Sequence, residues 1–475
     1  MIRTRGARRI TGLLAAFAIA IAAGCGGGGG VGSGGTGITA GGLAQGPVTG
    51  FGSVIVDGAR YDDSKIATLR EDEPGHEVQT ETHLGDIVEL AFDGDNVATR
   101  LEVTPTVIGT VSSVGAPGRF VVLGQTVSVN SDPARGPVTQ FGGGYADAAS
   151  VAVGDALEVH GLIVLQTGGY TVQATRIEKL AVLPRYLKVS GLASAVGSGE
   201  FKCGALTIDT RTSTLLPAGA TVGNGQIVSV LAAADSLRED LGGTPRVTAS
   251  QVRIQQIASA GDASSVSGKI GDLDASSGQF ELGGVKVRSA GATLVPAGTT
   301  LREDMYVRVD GVARTDGSID ATTITVRDGS TEPEGEVNGN IDNYVAATRQ
   351  FQVRGVQIDA SRATLESCPG GTLANGLYVQ VEGSLTTDGI AATKVKCEDA
   401  PGDATVERKG RVASVDTAAS TLTLALDEGG SLVVRWTGTT YFRDIKPDAL
   451  SGQRVEVEGV LSAAVLTAQK IALDD

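Results

Sequence analysis

One phrase recurs six times in this chain, and it restricts the fold more than any other feature. A small turn leads into alternating valine and polar residues and then, in most copies, a glycine. It reads Leu84-Gly-Asp-Ile-Val-Glu-Leu90, Val153-Gly-Asp-Ala-Leu-Glu-Val-His-Gly161 and Gly225-Gln-Ile-Val-Ser-Val230. It returns as Asp304-Met-Tyr-Val-Arg-Val-Asp-Gly311, Gly376-Leu-Tyr-Val-Gln-Val-Glu-Gly383 and Gly452-Gln-Arg-Val-Glu-Val-Glu-Gly459, with Asp304 standing where the other copies have glycine. A chain that repeats one unit must solve the same burial problem six times, so the fold of one unit sets the architecture of the whole.

Two further phrases frame each copy. Before it comes a strand, a turn and a returning strand, centred on Val54-Ile-Val-Asp-Gly58, Phe120-Val-Val-Leu-Gly124, Phe201-Lys-Cys-Gly204, Phe280-Glu-Leu-Gly-Gly284, Phe351-Gln-Val-Arg-Gly355 and Leu422-Thr-Leu-Ala-Leu426. After it comes a closing strand such as Ala98-Thr-Arg-Leu101, Ala174-Thr-Arg-Ile177 or Ala392-Thr-Lys-Val395. Leu215-Leu-Pro-Ala-Gly219 and Leu294-Val-Pro-Ala-Gly298 match almost residue for residue, a mark of duplication. The turn glycines lie 66 to 80 residues apart. That spacing is domain-sized, longer than the roughly 20–45 residues of a stacking solenoid repeat.

The apolar residues alternate, as in Val379 and Val381 or Val455 and Val457, which places them on one face of a sheet. Val, Ile and Thr suit pleated strands, and Asp57-Gly58, Asp93-Gly94 and Asp316-Gly317 suit tight hairpins. No mature segment carries a convincing helical stripe; a short helix is expected at most near Pro217 to Gly219 or Lys446 to Gly452. Five short strands leave exposed edges unless the sheet closes. The expectation is therefore an all-β chain of about six tandem small OB-like barrels, with a small sandwich as the second architecture. Their bounds are 47–105, 106–182, 183–258, 259–329, 333–398 and 405–475. Aromatic residues make up only 4% of the chain, so the cores must be filled largely by Val, Leu and Ala. Phe51, Tyr61, Trp436, Tyr441 and Phe442 are expected to pack in them.

The N-terminus reads as an address. Arg3, Arg5, Arg8 and Arg9 precede an apolar run of 14 residues from Ile10 to Ala23, too short to span a bilayer as a helix. Ala22-Ala23-Gly24-Cys25 resembles the bacterial lipobox, with Ala22 in place of the usual leucine. The resemblance implies a signal peptide over 1–24, cleavage before Cys25 and lipid on its sulfur. Gly26 after the cysteine, rather than Asp, implies sorting to the outer membrane. Residues 25–46, beginning with unbroken glycine from Gly26 to Gly30, read as a flexible tether. Loss of the first 24 residues removes four arginines and no acid from a net charge of −15, leaving the mature chain near −19. That sign argues against nucleic acid as a partner.

Candidate chemistries are few. Export permits disulfides, and Cys368 and Cys397 share a repeat and are expected to pair; Cys203 is left as a buried thiol. His76, His83 and His160 are the only histidines. His160 replaces an acid in the recurring strand and is expected on an exposed strand face, without a catalytic role. Glu89, Glu158, Glu382, Glu456 and Glu458 recur at repeat positions and read as a solvated strand face rather than a glycosidase pair. Asp93, Asp95 and Asn96, like Asp272, Asp274 and Ser276, fit hairpin turns better than a calcium loop. No catalytic residue, metal site or cofactor is expected.

The lipobox, the glycine tract, Val48-Thr-Gly-Phe-Gly-Ser-Val-Ile-Val-Asp-Gly-Ala-Arg-Tyr61 and the repeating Gly-x-x-Val-x-Val-x-Gly resemble envelope proteins of Gram-negative bacteria built from domain-of-unknown-function family 5666. The resemblance spans roughly residues 47–475, strongest in the first unit and looser in the third and sixth. It implies a repetitive β-rich envelope protein and carries no activity and no site residue. The reading that results is a membrane-anchored, non-enzymatic structural or interaction lipoprotein, with an envelope protein or polysaccharide as partner. A polysaccharide-binding protein and a hydrolase confined to one divergent repeat are the alternatives.

Overall fold

The computed structural model describes residues 41–239, 243–255, 258–327, 335–398, 405–427, 429–443, 445–462 and 465–474. The expected signal peptide over 1–24, Cys25 and most of the glycine tract lie outside these residues.

The sixth repeat shows the unit in its simplest form. Its five strands are Thr405–Asp416, Thr421–Leu426, Ser431–Arg443, Arg454–Ser462 and Val465–Leu473. The first pairs antiparallel with the second and the second with the third. The third runs parallel to the fifth, the fifth pairs with the fourth, and the fourth returns to the first. The ladder is a closed barrel of order 1-2-3-5-4. This is a five-stranded Greek-key arrangement of the OB type, in which no edge is left unpaired. Repeats 2, 3, 4 and 5 close by the same pairings, each with a parallel contact between its third and fifth strands. In repeat 1 that contact shrinks to the bridge between Asp62 and Val97 and a short run from Thr68. Among the described residues the helical content is confined to 3-10 turns, including Pro447–Ala449.

The sequence phrases map onto this barrel. The aromatic that opens the second strand drops into each core: Phe120, Phe201, Phe280 and Phe351 are all buried, and Val54 and Leu422 take its place in repeats 1 and 6. Each such ring stabilises its barrel by about 1.5–3 kcal/mol through burial. The glycine that ends the Val-x-Val phrase has a steric cause. At this position the fourth strand shifts register against the fifth, between His160 and Gly161, Asp310 and Gly311, Glu382 and Gly383, and Glu458 and Gly459. A Cβ there would lie 2.7 Å from the Gln173 carbonyl oxygen at Gly161, and 2.2 Å from that of Ala391 at Gly383. The bulge bends the strand so that the small barrel can close.

The barrels interlock, and not only in chain order. The opening strands of repeats 2 and 3 pair directly, Ile108 with Lys188 and Val107 with Val189, and one apolar cluster runs through both barrels. Repeat 1 pairs instead with two distant repeats. Gly42–Gln45 runs parallel to Ala263–Val266 of repeat 4, and Gly50 and Phe51 lie beside Glu336 and Val337 of repeat 5. The tether expected to continue to Gly46 thus gives way to a strand at Gly42. Its glycines favour this packing: a Cβ on Gly42 would lie 2.6 Å from the Ala263 carbonyl oxygen.

Candidate functional site

Interlocking buries polar faces that a lone barrel would expose. At the contact of repeats 1 and 2, Asp86, Glu158 and His160 are all buried. His160 and Glu158 are therefore not on a solvated strand face, because repeat 1 covers it. The Ile87 N–H donates to His160 Nδ1 at 3.0 Å, which assigns the ring proton to Nε2. Nε2 lies 3.1 Å from Glu158 Oε1 and 3.4 Å from Asp86 Oδ1. Arg176 reaches Asp86 at 3.4 Å and Arg70 reaches Glu158 at 2.7 Å. Burial raises the Asp86 carboxyl, but His160, His83 and Arg176 outweigh it and hold the group below the usual carboxylate range. Every polar atom of the imidazole faces protein, so this cluster serves as a clasp between barrels.

A cavity of about 130 Å³ lies beside the clasp, where repeats 1, 2, 3 and 4 meet. Repeat 1 contributes Glu71, Glu89 and Glu102; repeat 3 contributes Lys188, Arg253 and Gln255. Ile163 of repeat 2, Ile227 of repeat 3 and Leu282 and Val285 of repeat 4 form an apolar wall. Local structure explains how charged side chains come to lie inside. Lys188 alternates with Leu187 and Val189, which fill the barrel core, so its side chain leaves by the outer face. That face is then covered by the neighbouring repeats, and Lys188 is 4% exposed. Glu89 and Glu102 stand directly opposite each other on adjacent strands. Burial, and after it Glu102, push the Glu89 carboxyl upward. Burial pulls the Lys188 amine down, against the pull of Glu102, Glu71 and Glu158 toward its charged form. This cavity brings charged and apolar side chains of four repeats together, and the sequence pattern marks none of its charged residues for binding. Glu89 was read as solvated because the repeat pattern shows only that it faces out of its own barrel.

The other sequence candidates fall elsewhere. Cys368 and Cys397 are joined, with Cα atoms 4.8 Å apart, and Cys203 is a buried free thiol. His76 is exposed and bonded to Asp72, and His83 sits at the rim of the clasp, 3.5 Å from Asp86. Asp93 and Asp274 accept backbone N–H groups two residues on, Asp95 at 3.0 Å and Ser276 at 2.9 Å, as hairpin turns require. Glu382 pairs with Lys394 at 2.9 Å. Glu407, Glu456 and Glu458 group closely enough to hold a cation, but Lys409 stands 2.8 Å from Glu456, and Lys470 pairs with both Glu456 and Glu458. Trp436 packs edge-on to Phe442, and Tyr61 against Phe92, in the cores expected for them.

Comparison with known proteins agrees with the repeat pattern. The family model described as "Domain of unknown function (DUF5666)" matches residues 108–178, 267–325, 335–396 and 409–472. These segments fall in repeats 2, 4, 5 and 6; the first repeat, where the resemblance reads as strongest, is not among them. Repeats 1 and 3 close into the same barrel but carry insertions between strands, a hairpin over Thr68–Gln79 and a turn with a short strand over Ala234–Glu239. No curated protein matches the chain. Among solved structures, the chain is similar to a tryptophan-to-alanine variant of CusF with Cu(II) from Escherichia coli, at 18% identity and a TM-score of 0.14, over 16% of this chain and 100% of that one. It is also similar to a Drosophila Unr segment, CSD456, at 13% identity and a TM-score of 0.18, over 46% of this chain and 99% of that one. With four matched segments that together make up more than half its length, the chain belongs to the DUF5666 family.

Proposed function

We propose that this chain is a structural or binding lipoprotein of the bacterial envelope, held to the outer membrane by lipid on Cys25, and that it is not an enzyme. The observation that carries the reading is the use made of its acid–base groups. His160, Glu158 and Asp86, which could do proton transfer at an open site, instead join two barrels through buried bonds. The lipobox-like Ala22-Ala23-Gly24-Cys25 supports the anchor. Interlocked barrels without a long connector between repeats 1 and 2 or 2 and 3 suit a protein that presents a fixed surface to an envelope partner.

The test has two arms. Cells making the chain are fed a labelled fatty acid and fractionated, with a Cys25→Ser variant in parallel. The expected result is label on the wild type, no label on the variant, and release of the variant from the membrane fraction; an unlabelled wild type overturns the anchor. Residues 41–475 are then used as bait in a cross-linking pull-down from solubilised envelope. Repeated recovery of one protein supports the scaffold reading, recovery of glycan alone redirects it to polysaccharide binding, and recovery no greater than on an unrelated acidic β protein removes the binding role.

A further inference from the structure

The clasp between repeats 1 and 2 holds a histidine neutral by geometry. His160 lies in the strand Ala156–Gln166 and is 1% exposed. Its Nδ1 accepts the N–H of Ile87, the residue that opens the strand Ile87–Phe92 of repeat 1. That nitrogen has a lone pair to offer only while the ring is neutral. A proton added there would set two N–H donors against each other at 3.0 Å, so the imidazolium and the bond to Ile87 exclude one another. Turning the ring over gives no relief, because it would set a carbon against the Ile87 N–H and carry Nε2 away from Glu158 and Asp86.

The charges around the ring nonetheless favour the proton. On its own strand, Glu158 lies 3.1 Å from Nε2. Repeat 1 brings Asp86 to 3.4 Å, with His83 at 3.5 Å from the other Asp86 oxygen, and Arg70, which pairs with Glu158 at 2.7 Å. The adjacent strand Gly169–Lys179 sets Arg176 directly opposite His160, within 3.4 Å of Asp86 and 2.7 Å of Glu178. Lys188 stands beyond Ile108, which pairs with Glu158 on one side and with Lys188 on the other. Three acids thus balance three bases around a neutral ring. Burial raises the Glu158 carboxyl, but His160 and Arg70 outweigh it, so it joins Asp86 below the usual carboxylate range. Both carboxylates stay charged over about pH 5–7, where an imidazole ordinarily takes up its proton. They offer the imidazolium its counter-charge, and the Ile87 N–H stands against it.

We propose that the contact of repeats 1 and 2 is an acid-sensitive latch, in which protonation of His160 at Nδ1 breaks its bond to Ile87 and loosens the seam of Gly85, Asp86 and Ile87 against repeat 2. The closed state excludes a proton that the open state accepts, so closure weakens as pH falls, by up to about tenfold per pH unit for one proton. The movement stays local. Val48 bonds to Gly85 and Asp86 through the backbone and keeps the turn on repeat 1, and the bond from Thr175 Oγ1 to the Gly85 carbonyl oxygen does not titrate. The latch uses neither the Cys25 anchor nor a ligand, so it and the proposed function can fail separately.

Hydrogen exchange of the purified full-length chain is followed by mass spectrometry at about pH 7, 6 and 5, each rate being corrected for the intrinsic pH dependence of exchange. Residues 84–92 should open more readily by up to about tenfold per pH unit, and Arg454–Ser462 of the sixth barrel should not respond. His160→Asn sets an amide oxygen, which does not titrate, near the Nδ1 position, and should abolish the acid response of residues 84–92 whatever their protection at neutral pH. His83→Asn should keep that response. The imidazole nitrogen shifts keep the test decisive if the His160 variant does not fold. With the other two rings assigned by their loss in His76→Asn and His83→Asn, the third should carry its proton on Nε2 at neutral pH and become imidazolium in step with the faster exchange. An imidazolium already present at neutral pH, protonation of His160 without a change in exchange, an equal acid response in His160→Asn, or its loss in His83→Asn overturns the proposal.

Discussion

Asp304 stands where the other five repeats have glycine, and replacing it with glycine should weaken the protein. The residue occupies the turn before the fourth strand of repeat 4, with φ of +67°, while Gly85, Gly154, Gly225, Gly376 and Gly452 occupy the same turn with φ between +73° and +94°. Backbone conformation alone favours the change, since a left-handed residue with a side chain costs about 1 kcal/mol that glycine avoids. The side chain argues the other way. Asp304 Oδ1 accepts from Lys269 Nζ at 2.9 Å, and Lys269 is only 2% exposed. Its other oxygen meets Arg135 of repeat 2 at 3.2 Å. Removing one partner of a fully buried pair costs about 3–5 kcal/mol. Asp304 is itself 51% exposed, so water screens the pair and reaches the abandoned ammonium, which reduces that figure to about 2–3 kcal/mol. The exposed Arg135 contact adds under about 1 kcal/mol. Set against the backbone gain, Asp304→Gly should destabilise repeat 4 by about 1–2 kcal/mol, or roughly tenfold in its opening equilibrium.

Native-state hydrogen exchange is the suitable assay, because a chain of six barrels need not unfold in one step. Amides of Ala263–Asp274 and Tyr306–Ala313 should exchange roughly tenfold faster in the variant, while those of the sixth barrel should not change. Adding Lys269→Met to the same chain should recover most of the loss, since the stranded charge is then gone. Unchanged or slower exchange in Asp304→Gly would refute the reasoning, because it would mean that backbone strain outweighs the buried pair.

Two further expectations concern repeats 2 and 3. Lys179, then the Tyr145 hydroxyl and the Ala152 N–H, lower the Asp155 carboxyl from 3.8 to about 2. A folded-state value below the unfolded one means that this contribution is fully present above the ordinary carboxylate range and is lost as pH falls through it toward about 2. Acid unfolding of repeat 2, followed by exchange of Ala156–Gln166, should therefore be less steep in Asp155→Asn; an unchanged slope counts against the assignment. Burial also pushes the Cys203 thiol up to about 12, so it should resist a thiol reagent at neutral pH and react after denaturation. Rapid labelling of Cys203 in the folded chain would show that the core of repeat 3 is open.

What the sequence disclosed was the inside of each barrel. Val379 and Val381, the Phe351 that opens a second strand and the glycine that ends the Val-x-Val phrase are all fixed by contacts within about 70 residues, and six copies of the pattern average out local noise. Closure into small barrels followed from the need to leave no edge on five short strands. The outer faces were not legible, because which repeat covers which depends on packing between distant parts of the chain. Lys188, Glu89 and His160 all sit at outward positions in a period-two pattern, and that pattern is the same whether water or another barrel lies outside. The sequence did hold a usable signal, in the departures from the repeat. His160 replaces an acid and Asp304 replaces a glycine, and each proves to make a bond to a different repeat.

This pattern suggests how six similar barrels find the right neighbours. Apolar contact between near-identical surfaces would tolerate many arrangements, since burial rewards area and not identity. The polar contacts discriminate. His160 fits only where a backbone N–H and two carboxylates converge, as Ile87, Asp86 and Glu158 do. Gly50 can lie against Glu336 only because it has no Cβ, which would stand 2.0 Å from the Glu336 carbonyl oxygen. Arg135 meets an acid at Asp304, in a position that every other repeat gives to glycine. The buried contacts of His160 add little net stability, because desolvation cancels most of their attraction, but a misdocked repeat would leave them unpaired at a cost of several kcal/mol, whereas the exposed Arg135 contact weighs under about 1 kcal/mol. On this view the repeated residues make barrels and the unrepeated ones decide which barrels meet, and the cavity around Lys188 lies where repeats 1, 2, 3 and 4 come together.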